Sequence, residues 1–302
     1  MSDFLVVGVD AGGTSTAVAA AHGDGDVATF RGGPANASSR GIDAASATIA
    51  DAVRACVPGR APAAIFVAAA GAGRSASAHA LRDALIANFG SATQIAVEDD
   101  TRVALRAAIP EGSGVVLIAG TGSVAYAEAG DLRVRVGGAG YVLGDEGSAF
   151  AIGVAALRAL ARAYDGRARE DETLALAART FGATDRASLL AAIYDAPLDV
   201  ARVASLAPAI VAFAGKGNRT STKIVQTAAQ ELSDLARAAI VQAGLGDASP
   251  AIAFAGGLLR ENSLLTFLLE TRVTSETPGS QVVRLRDEPE RVALAMARAL
   301  LA

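Results

Sequence analysis

The sequence predicts an α/β protein made of two related domains. Apolar segments of strand length alternate with segments whose apolar residues recur at helical spacing, which indicates a partly parallel sheet covered by helices on both faces. A strand–turn–strand pattern at residues 5–20 recurs at residues 114–128. The chain has 302 residues, enough for two domains that share a cleft.

The first hundred residues predict three strands and then alternating helices and strands. The first three strands, "DFLVVGVD", "STAVAAAH" and "VATFRG", are expected to form an antiparallel meander. A long helix follows, because Ile42, Ile49 and Val53 have helical spacing. The next segments are the strand "AAIFVAAAG", the helix "SASAHALRDALIANF", the strand "TQIAVEDD" and the helix "TRVALRAA".

The pattern restarts after the short linker "PEGSG". Three strands, "GVVLIAG", "SVAYAEAG" and "DLRVRVGG", come first, and a mostly helical region follows them. The last elements are the strand "PAIAFAGG", the helix "NSLLTFLLETRV", the strand "QVVRL" and the helix "EPERVALAMARALLA". A repeat period of about 110 residues suits a duplicated domain rather than a solenoid. We expect domains at 1–112 and 113–287, with the last helix, 288–302, joining the first domain.

Composition narrows the possible functions. The net charge is -4 and the pI is near 5.3, which argues against a basic nucleic-acid surface. No stretch approaches the ~20 apolar residues of a membrane span, and the N-terminus lacks the pattern of a secretory signal, so we expect a cytoplasmic protein. Cys56 is the only cysteine, which we expect to be buried, and two histidines cannot complete the usual zinc site.

The two glycine turns are the first candidate site. Glycines let backbone N–H groups approach an anion closely, and nearby hydroxyls add donors. Each turn alone also suits an ordinary hairpin, but one from each domain could bind the phosphates of a single nucleotide. The residues concerned are Gly12, Gly13 and Thr14 in the first turn, and Gly120, Thr121, Gly122 and Ser123 in the second.

Asp10 distinguishes the first turn from the second. It ends the first strand, whereas we expect its counterpart in the second turn to be Ala119. A hairpin needs no acid at this position, but a magnesium ion between phosphates prefers a hard oxygen ligand nearby.

Two more glycine motifs follow strands. Gly256 and Gly257 are predicted to open a helix after a late strand, where backbone can lie close to a ribose or a planar ring. A simple connection between a strand and a helix explains these glycines equally well. The segment "GAGRS" imitates part of a dinucleotide fingerprint, but Ala76 stands where the third glycine is required. A dinucleotide fold is therefore not predicted.

Three consecutive carboxylates, Glu98, Asp99 and Asp100, end a predicted strand before a helix. Open α/β sheets bind ligands at this edge. Either Asp99 or Asp100 could cap the helix, and a remaining acid could accept a proton from a substrate hydroxyl.

Two loops have the composition of a sugar site. Five glycines flank Asp145 and Glu146, which gives more backbone freedom than a helix cap requires. In "RGGPANASSRG", the side-chain amide of Asn36 can both donate to and accept from sugar hydroxyls, although the segment alone also suits a turn.

The order of these motifs resembles the BadF/BadG/BcrA/BcrD ATPase family. The motifs are Asp-x-Gly-Gly-Thr, Gly-Pro-x-Asn, Glu-x-Asp, Gly-Thr-Gly-Ser, Gly-Asp-Glu-Gly-Ser and Ala-Gly-Gly. Within the family, the chain is most similar to the N-acetylglucosamine kinases and bacterial glucosamine kinases of the actin-like, sugar-kinase and Hsp70 superfamily. The resemblance covers nearly the whole chain, and "GDEGSAF" after "GTGS" is its most specific part.

The resemblance implies two ribonuclease-H-like, actin-like ATPase domains with ATP and sugar in the interdomain cleft. It makes the two glycine turns the phosphate loops, places Asp10 near Mg²⁺, and assigns Gly256 and Gly257 to the adenosine. The sugar-binding residues that it implies are Asn36, Asp100 and Asp145, together with the backbone at Gly138 and Ala139.

The resemblance also implies a catalytic base. Asp100 would accept the proton of the sugar 6-hydroxyl. Asp99 and Thr101 depart from the family's common Glu-Asn-Asp-Ala pattern, which leaves open whether Asp99 or Asp100 is the base.

The implied function is an ATP- and Mg²⁺-dependent kinase that phosphorylates the 6-hydroxyl of an N-acetylhexosamine or amino sugar, N-acetylglucosamine or glucosamine first. The alternatives are an N-acetylmuramic acid/N-acetylglucosamine kinase of cell-wall recycling and a nucleotide-driven switch that acts on a partner protein. The resemblance further implies a homodimer. A single cysteine disfavours the ROK kinases, which usually carry a zinc motif with three cysteines, and the iron–sulfur activators of this family.

Overall fold

The computed structural model describes residues 4–23, 25–73, 75–259, 262–284 and 287–301. The strands are β1 (Leu5–Ala11), β2 (Thr16–His22), β3 (Ala28–Gly32), β4 (Ala64–Ala69), β5 (Gln94–Asp99), β6 (Gly114–Ala119), β7 (Ser123–Ala129), β8 (Leu132–Gly137), β9 (Ala251–Ala255) and β10 (Gln281–Val283).

The helices alternate with and follow these strands. They are α1 (Ala37–Arg40), α2 (Ile42–Cys56), α3 (Ser75–Phe89), α4 (Asp100–Ala108), α5 (Ala149–Tyr164), α6 (Glu172–Phe181), α7 (Arg186–Tyr194), α8 (Val200–Ala204), α9 (Ala207–Gly215), α10 (Arg219–Gln242), α11 (Leu264–Glu276) and α12 (Pro289–Ala299).

The chain divides into two compact units. Unit 1 comprises Met1–Glu111 together with Leu285–Ala302, and unit 2 comprises Gly112–Arg284. Each unit has its own five-stranded sheet.

The two sheets have the same topology. The strand order is β3-β2-β1-β4-β5 in unit 1 and, read in the same sense, β8-β7-β6-β9-β10 in unit 2. In both sheets the first three strands are antiparallel neighbours, and the last two run parallel to the central strand β1 or β6. The sequence repeat is therefore a repeat of structure, and the α/β prediction is confirmed.

The sheet of unit 1 is covered by helices on both faces. Val7 and Ile65 pack on one face among residues of α2 and α3, whereas Val6 and Phe66 pack on the other face with α12. Because successive side chains of a strand point to opposite faces, the continuous apolar sequence of β4 supplies both cores. In unit 2, α5 and α10 contribute to one large core with β6, β7 and β9.

Cys56, the last residue of α2, is half-buried against the core of unit 1 rather than fully buried as predicted. It lies at the end of the helix, where the side chain reaches the core edge. Its partial burial raises the pKa of the thiol.

Gly256 and Gly257 do not open a helix, contrary to the sequence prediction. They lie in a turn after β9, and α11 begins only at Leu264. The start of α11 is fixed by a capping box in which the side chains of Ser263 and Thr266 bind each other's backbone N–H groups.

Among the described residues, no single helix has the length and apolar character needed to cross a membrane. One bent pair, Val200–Gly215 with Arg219–Gln242 at 110°, meets the length and composition criteria only when taken together.

The close approach of α12 to β1 leads to a stability prediction. A Cβ on Gly8 of β1 would overlap the Leu294 backbone nitrogen and lie 2.5 Å from the Ala293 carbonyl carbon. We expect Gly8→Ala to lower the free energy of unfolding of unit 1 by about 3 kcal/mol, because backbone must move to admit the methyl group. Chemical denaturation followed by circular dichroism measures this loss.

Gly215→Ala is the matched control for Gly8→Ala. Gly215 is exposed at the end of α9, and nothing lies within 4 Å of the place that a Cβ would take, so alanine should cause no loss there. Equal stability of the two variants would contradict the packing of α12 on β1.

Candidate active site

The two glycine turns have closely related backbones. Gly12 N–H donates to the Ser15 carbonyl at 2.9 Å, and Gly120 N–H donates to the Gly122 carbonyl at 2.9 Å. The first loop is one residue longer, because the last strand pairs are Ala11 with Thr16 and Ala119 with Ser123. Each turn therefore starts at its first glycine.

Two further hydrogen bonds fix each turn to its own unit. The Gly12 carbonyl accepts from Ala35 N–H at 3.0 Å, and the Gly120 carbonyl accepts from Ala149 N–H at 2.9 Å. The central strand of each unit ends in an alanine whose carbonyl accepts an N–H from the turn after the parallel neighbour strand. Ala11 accepts from Ala70 N–H at 2.9 Å, and Ala119 accepts from Leu258 N–H at 3.0 Å. The same two hydrogen bonds therefore support each turn.

These bonds correct the expected counterpart of Asp10. Gly12 and Gly120 are equivalent, so Asp10 corresponds to Ile118 rather than to Ala119. Both Asp10 and Ile118 are half-buried, penultimate residues of an otherwise buried strand. The expectation was wrong because the extra residue in the first loop shifts the alignment of the two turns by one position. The acid remains specific to unit 1.

The tips of both turns can bind an anion. Gly13, Thr14 and Thr121 are exposed, and within the described residues their N–H groups have no protein acceptor. A Cβ on Gly13 would meet only the Asn36 amide nitrogen, at 4.0 Å. This open, glycine-lined backbone fits phosphate oxygens.

Asn36 lies beside the first turn, but part of its side chain is already used. It is the N-cap of α1, and its Oδ1 accepts from the N–H groups of Ser38 and Ser39 at 2.9 and 3.1 Å. The expectation that its amide both donates and accepts is therefore corrected: both acceptor sites serve the cap, and the amide NH₂ is the group that can meet a sugar hydroxyl.

Gly71 is a positioning residue that the sequence motifs did not reveal. It follows β4 with φ of +85°, and a Cβ there would lie 2.6–2.8 Å from atoms of Ser38 and Asn36. The Gly71 carbonyl also accepts from the Ser38 hydroxyl at 3.2 Å. The available signal is a glycine placed directly after a buried strand, within the segment that imitates a dinucleotide fingerprint.

The three acids at the end of β5 have different local partners. Asp99 is the N-cap of α4, since its Oδ1 accepts from Thr101 N–H at 3.0 Å and from the Thr101 hydroxyl. Glu98 forms an ion pair with Arg102 at 3.0 Å. Asp100, the first residue of α4, is half-buried. The structure thus assigns the capping role, which the sequence left open, to Asp99.

Asp145 contacts the second turn rather than standing apart from it. Its Oδ1 accepts from Ser123 N–H at 3.2 Å, and a Cβ on Gly122 would lie 2.8–2.9 Å from its carboxylate atoms. Burial raises the pKa of Asp145, the Ser123 N–H opposes this shift, and the Glu146 charge adds to it.

Ser123 does not offer its hydroxyl to a ligand in this structure. The residue is buried, and Oγ donates to the Glu146 carbonyl at 2.6 Å, while its N–H donates to Asp145. The expectation that this hydroxyl is a phosphate donor is corrected. Ser123 is the first residue of β7, and its side chain is directed toward residues 145–146. Of the hydroxyl residues expected in the second turn, Thr121 remains exposed.

The other expected residues of unit 2 lie near this turn or near the segment that carries Asp145. A Cβ on Gly120 would lie 4.0 Å from Gly257 N, so the turn after β9 lies beside the second glycine turn. Gly138 and Ala139 are exposed backbone positions just beyond β8, and a Cβ on Gly144 would lie 3.2 Å from the Ala139 Cβ. The loop therefore folds back, which places Ala139 close to the segment that carries Asp145.

Comparison with known proteins identifies the family. The model of the BadF/BadG/BcrA/BcrD ATPase family matches residues 7–288. The chain belongs to the BadF/BadG/BcrA/BcrD ATPase family.

Two curated relatives of this family member are kinases by name. The N-acetylmuramic acid/N-acetylglucosamine kinase of Clostridium acetobutylicum is 26% identical over 78% of this chain and 77% of its own length. The N-acetyl-D-glucosamine kinase of Dictyostelium discoideum is 26% identical over 100% of this chain and 98% of its own length.

Solved structures share the fold of this BadF/BadG/BcrA/BcrD ATPase. A protein from Chromobacterium violaceum, described as a candidate N-acetylglucosamine kinase, has a TM-score of 0.80 at 21% identity and covers 98% of this chain and 100% of its own. The ROK family glucokinase of Streptomyces griseus, solved with glucose and AMPPNP, has a TM-score of 0.56 at 19% identity and covers 98% and 99% of the two chains. The two-domain actin-like ATPase fold predicted from the sequence is confirmed.

The turn after β9 gives a test of the site geometry. Gly256 has φ of +86°, and a Cβ there would overlap the Ala119 carbonyl, whereas nothing lies within 4 Å of the position on Gly257. We expect Gly256→Ala to destabilise unit 2 by about 3 kcal/mol, because it adds a backbone clash to an unfavourable φ.

Gly257→Ala is the matched control and should change the free energy of unfolding by less than about 1 kcal/mol. Denaturation curves of both variants measure the difference. A tolerated Gly256→Ala would show that the turn after β9 does not lie against the end of β6.

Proposed function

We propose that this protein is an ATP-dependent kinase that transfers the γ-phosphoryl group to the 6-hydroxyl of an N-acetylhexosamine or amino sugar. N-acetylglucosamine and glucosamine are the first candidates. The observation that carries the proposal is the arrangement at the end of β5: Asp99 caps α4, and Asp100 next to it is the first, half-buried residue of that helix. The names of the two curated relatives support the same reaction class.

Asp100 is proposed as the general base. Its carboxylate would accept the proton of the 6-hydroxyl as that oxygen attacks the γ-phosphorus and the bond to the β,γ-bridging oxygen of ATP breaks. The half-buried position at the N-terminus of α4 would hold the sugar hydroxyl in line with the phosphorus, and such positioning supplies much of the catalysis in phosphoryl transfer.

The glycine turns are proposed to bind the ATP phosphates through backbone N–H groups. Gly12, Gly13 and Thr14 form the loop of unit 1, and Gly120, Thr121 and Gly122, with the N–H of Ser123, form the loop of unit 2. Gly256 and Gly257 would border the adenosine. The glycines of these turns support the assignment, because without a side chain the backbone can approach the nucleotide closely.

Magnesium is proposed as the cation of the reaction. Asp10 would supply one hard oxygen, but the described residues contain no group of three or more His, Cys, Asp or Glu that could hold a metal. The donor set therefore fits an ion coordinated mainly by phosphates and water, with Asp10 nearby. Such an ion would neutralise phosphate charge during transfer.

The sugar is proposed to bind Asn36 through the amide NH₂, Asp100 and Asp145 through their carboxylates, and the backbone at Gly138 and Ala139. Exclusion of water from the bound substrates would suppress wasteful ATP hydrolysis. The homodimer and the cytoplasmic location expected from the sequence remain predictions.

A substrate panel tests the proposed function. ADP release is measured with N-acetylglucosamine, glucosamine, N-acetylmuramic acid and glucose, each with MgATP. We expect turnover with at least one amino sugar and little with glucose. Turnover of N-acetylmuramic acid would select the alternative that the name of the Clostridium relative favours.

ATP hydrolysis that none of these sugars stimulates or redirects would contradict the kinase proposal. It would instead favour a nucleotide-driven switch acting on a partner protein.

The two neighbouring acids give a test of the base. Asp100→Asn should lower kcat by ~10²–10⁴-fold while sugar still binds, because the amide cannot accept the hydroxyl proton. Asp99→Asn is the matched control: it removes the same charge but keeps a capping oxygen for Thr101, so kcat should fall less than about tenfold.

Steady-state kinetics and sugar titration of both variants separate the two roles. Near-normal kcat in Asp100→Asn would remove this residue from the mechanism, and the opposite pattern would make Asp99 the base.

A further inference from the structure

The carboxylate of Asp145 lies where the second phosphate loop would bind an anion. It accepts the Ser123 N–H at 3.2 Å and crowds Gly122, where a Cβ would lie 2.8 Å from Oδ1 and 2.9 Å from Oδ2. Only a glycine at position 122 admits it. A phosphate oxygen could not accept this N–H without displacing the carboxylate, which also repels it because both are negatively charged.

The segment that carries Asp145 is tied to the loop by further bonds. Ser123 Oγ donates to the Glu146 carbonyl at 2.6 Å, and the carbonyls of Gly120 and Thr121 accept from the first N–H groups of α5 at 2.9 and 3.3 Å. Movement of the 145–148 segment is therefore transmitted directly to the loop.

Asp145 is held in an unfavourable backbone conformation. Its φ is +61°, and it is one of two non-glycine residues with positive φ among those the structure describes. Burial also raises the pKa of its carboxyl. A positive φ at a partly desolvated acid is typical of a residue with a functional role.

We propose that Asp145 is a positioning residue that couples sugar binding to nucleotide binding. Without sugar, its carboxylate occupies the Ser123 N–H and opposes ATP phosphates at the second loop. When sugar hydroxyls bind the carboxylate, it leaves the loop, and the N–H donates to a phosphate instead. This inference rests on the proposed function, because it takes the sugar as the ligand that withdraws Asp145.

The coupling has the same magnitude in both directions. If sugar increases the affinity for ATP by a given factor, ATP increases the affinity for sugar by that factor. Displacing one charged hydrogen bond and one like-charge contact suggests a factor of about ten.

The experiment measures the dissociation constant of MgAMPPNP by calorimetry, with and without N-acetylglucosamine or whichever sugar the panel selects. In the wild type, sugar should tighten binding about tenfold. In Asp145→Gly, which removes the carboxylate and suits the positive φ, nucleotide should bind about tenfold tighter than in the wild type without sugar, and sugar should add nothing.

Asp145→Asn is the second variant, because asparagine also suits this φ and retains the shape of the side chain. It should show a smaller gain of nucleotide affinity in the same direction. Glu146→Gln is the matched control, since Glu146 is exposed and carries the same charge next in the chain, and its nucleotide affinity should remain that of the wild type.

The proposal is overturned if neither Asp145 variant binds nucleotide more tightly than the wild type in the absence of sugar, or if Glu146→Gln gains as much as they do. It is also overturned if sugar binds the wild type without changing nucleotide affinity. A tighter Asp145 variant together with no response to any sugar would instead show that the carboxylate blocks the loop while the proposed sugar kinase function fails.

Discussion

In each unit, the glycine turn and the neighbouring turn are held together by one backbone hydrogen bond to the end of the central strand. The carbonyl of Ala11 in unit 1, and that of Ala119 in unit 2, accepts an N–H from the turn after the parallel neighbour strand. This bond draws two strand ends together, so that the glycine turn and the neighbouring turn form one surface at the carboxyl edge of the sheet. In unit 2 the approach is so close that Gly256 cannot carry a side chain.

The fold was predictable because each helix and strand has its own local pattern of apolar residues. The antiparallel meander, the buried strands and the helices differ in apolar period, and that period can be read within a few residues. The duplication was also visible, since the first and second glycine turns occur about 110 residues apart in matching strand–turn–strand segments. These features do not depend on contacts between distant residues.

The site was predictable in composition but not in its hydrogen bonds. Asn36, Ser123 and Asp145 are polar residues near glycine turns, yet each uses a polar group within the protein: Asn36 caps α1, and Ser123 binds the segment at Asp145. Residue type gives the number of donors and acceptors, whereas their partners depend on the folded backbone. The same limitation explains the misplaced counterpart of Asp10, because the extra residue in the first loop is recognised only from strand pairing.

The acids of the two units differ in whether structural and proposed functional roles belong to separate residues. At the end of β5, Asp99 caps α4 by accepting the Thr101 N–H, and the adjacent Asp100 is the acid proposed as the base. At the second loop both roles fall on one residue. Asp145 lies against the loop that is proposed to bind phosphate, and its backbone is strained to reach it. An arrangement that repels the nucleotide until the carboxylate is engaged would allow ATP to bind well only when an acceptor is present, and this would limit transfer of the phosphoryl group to water.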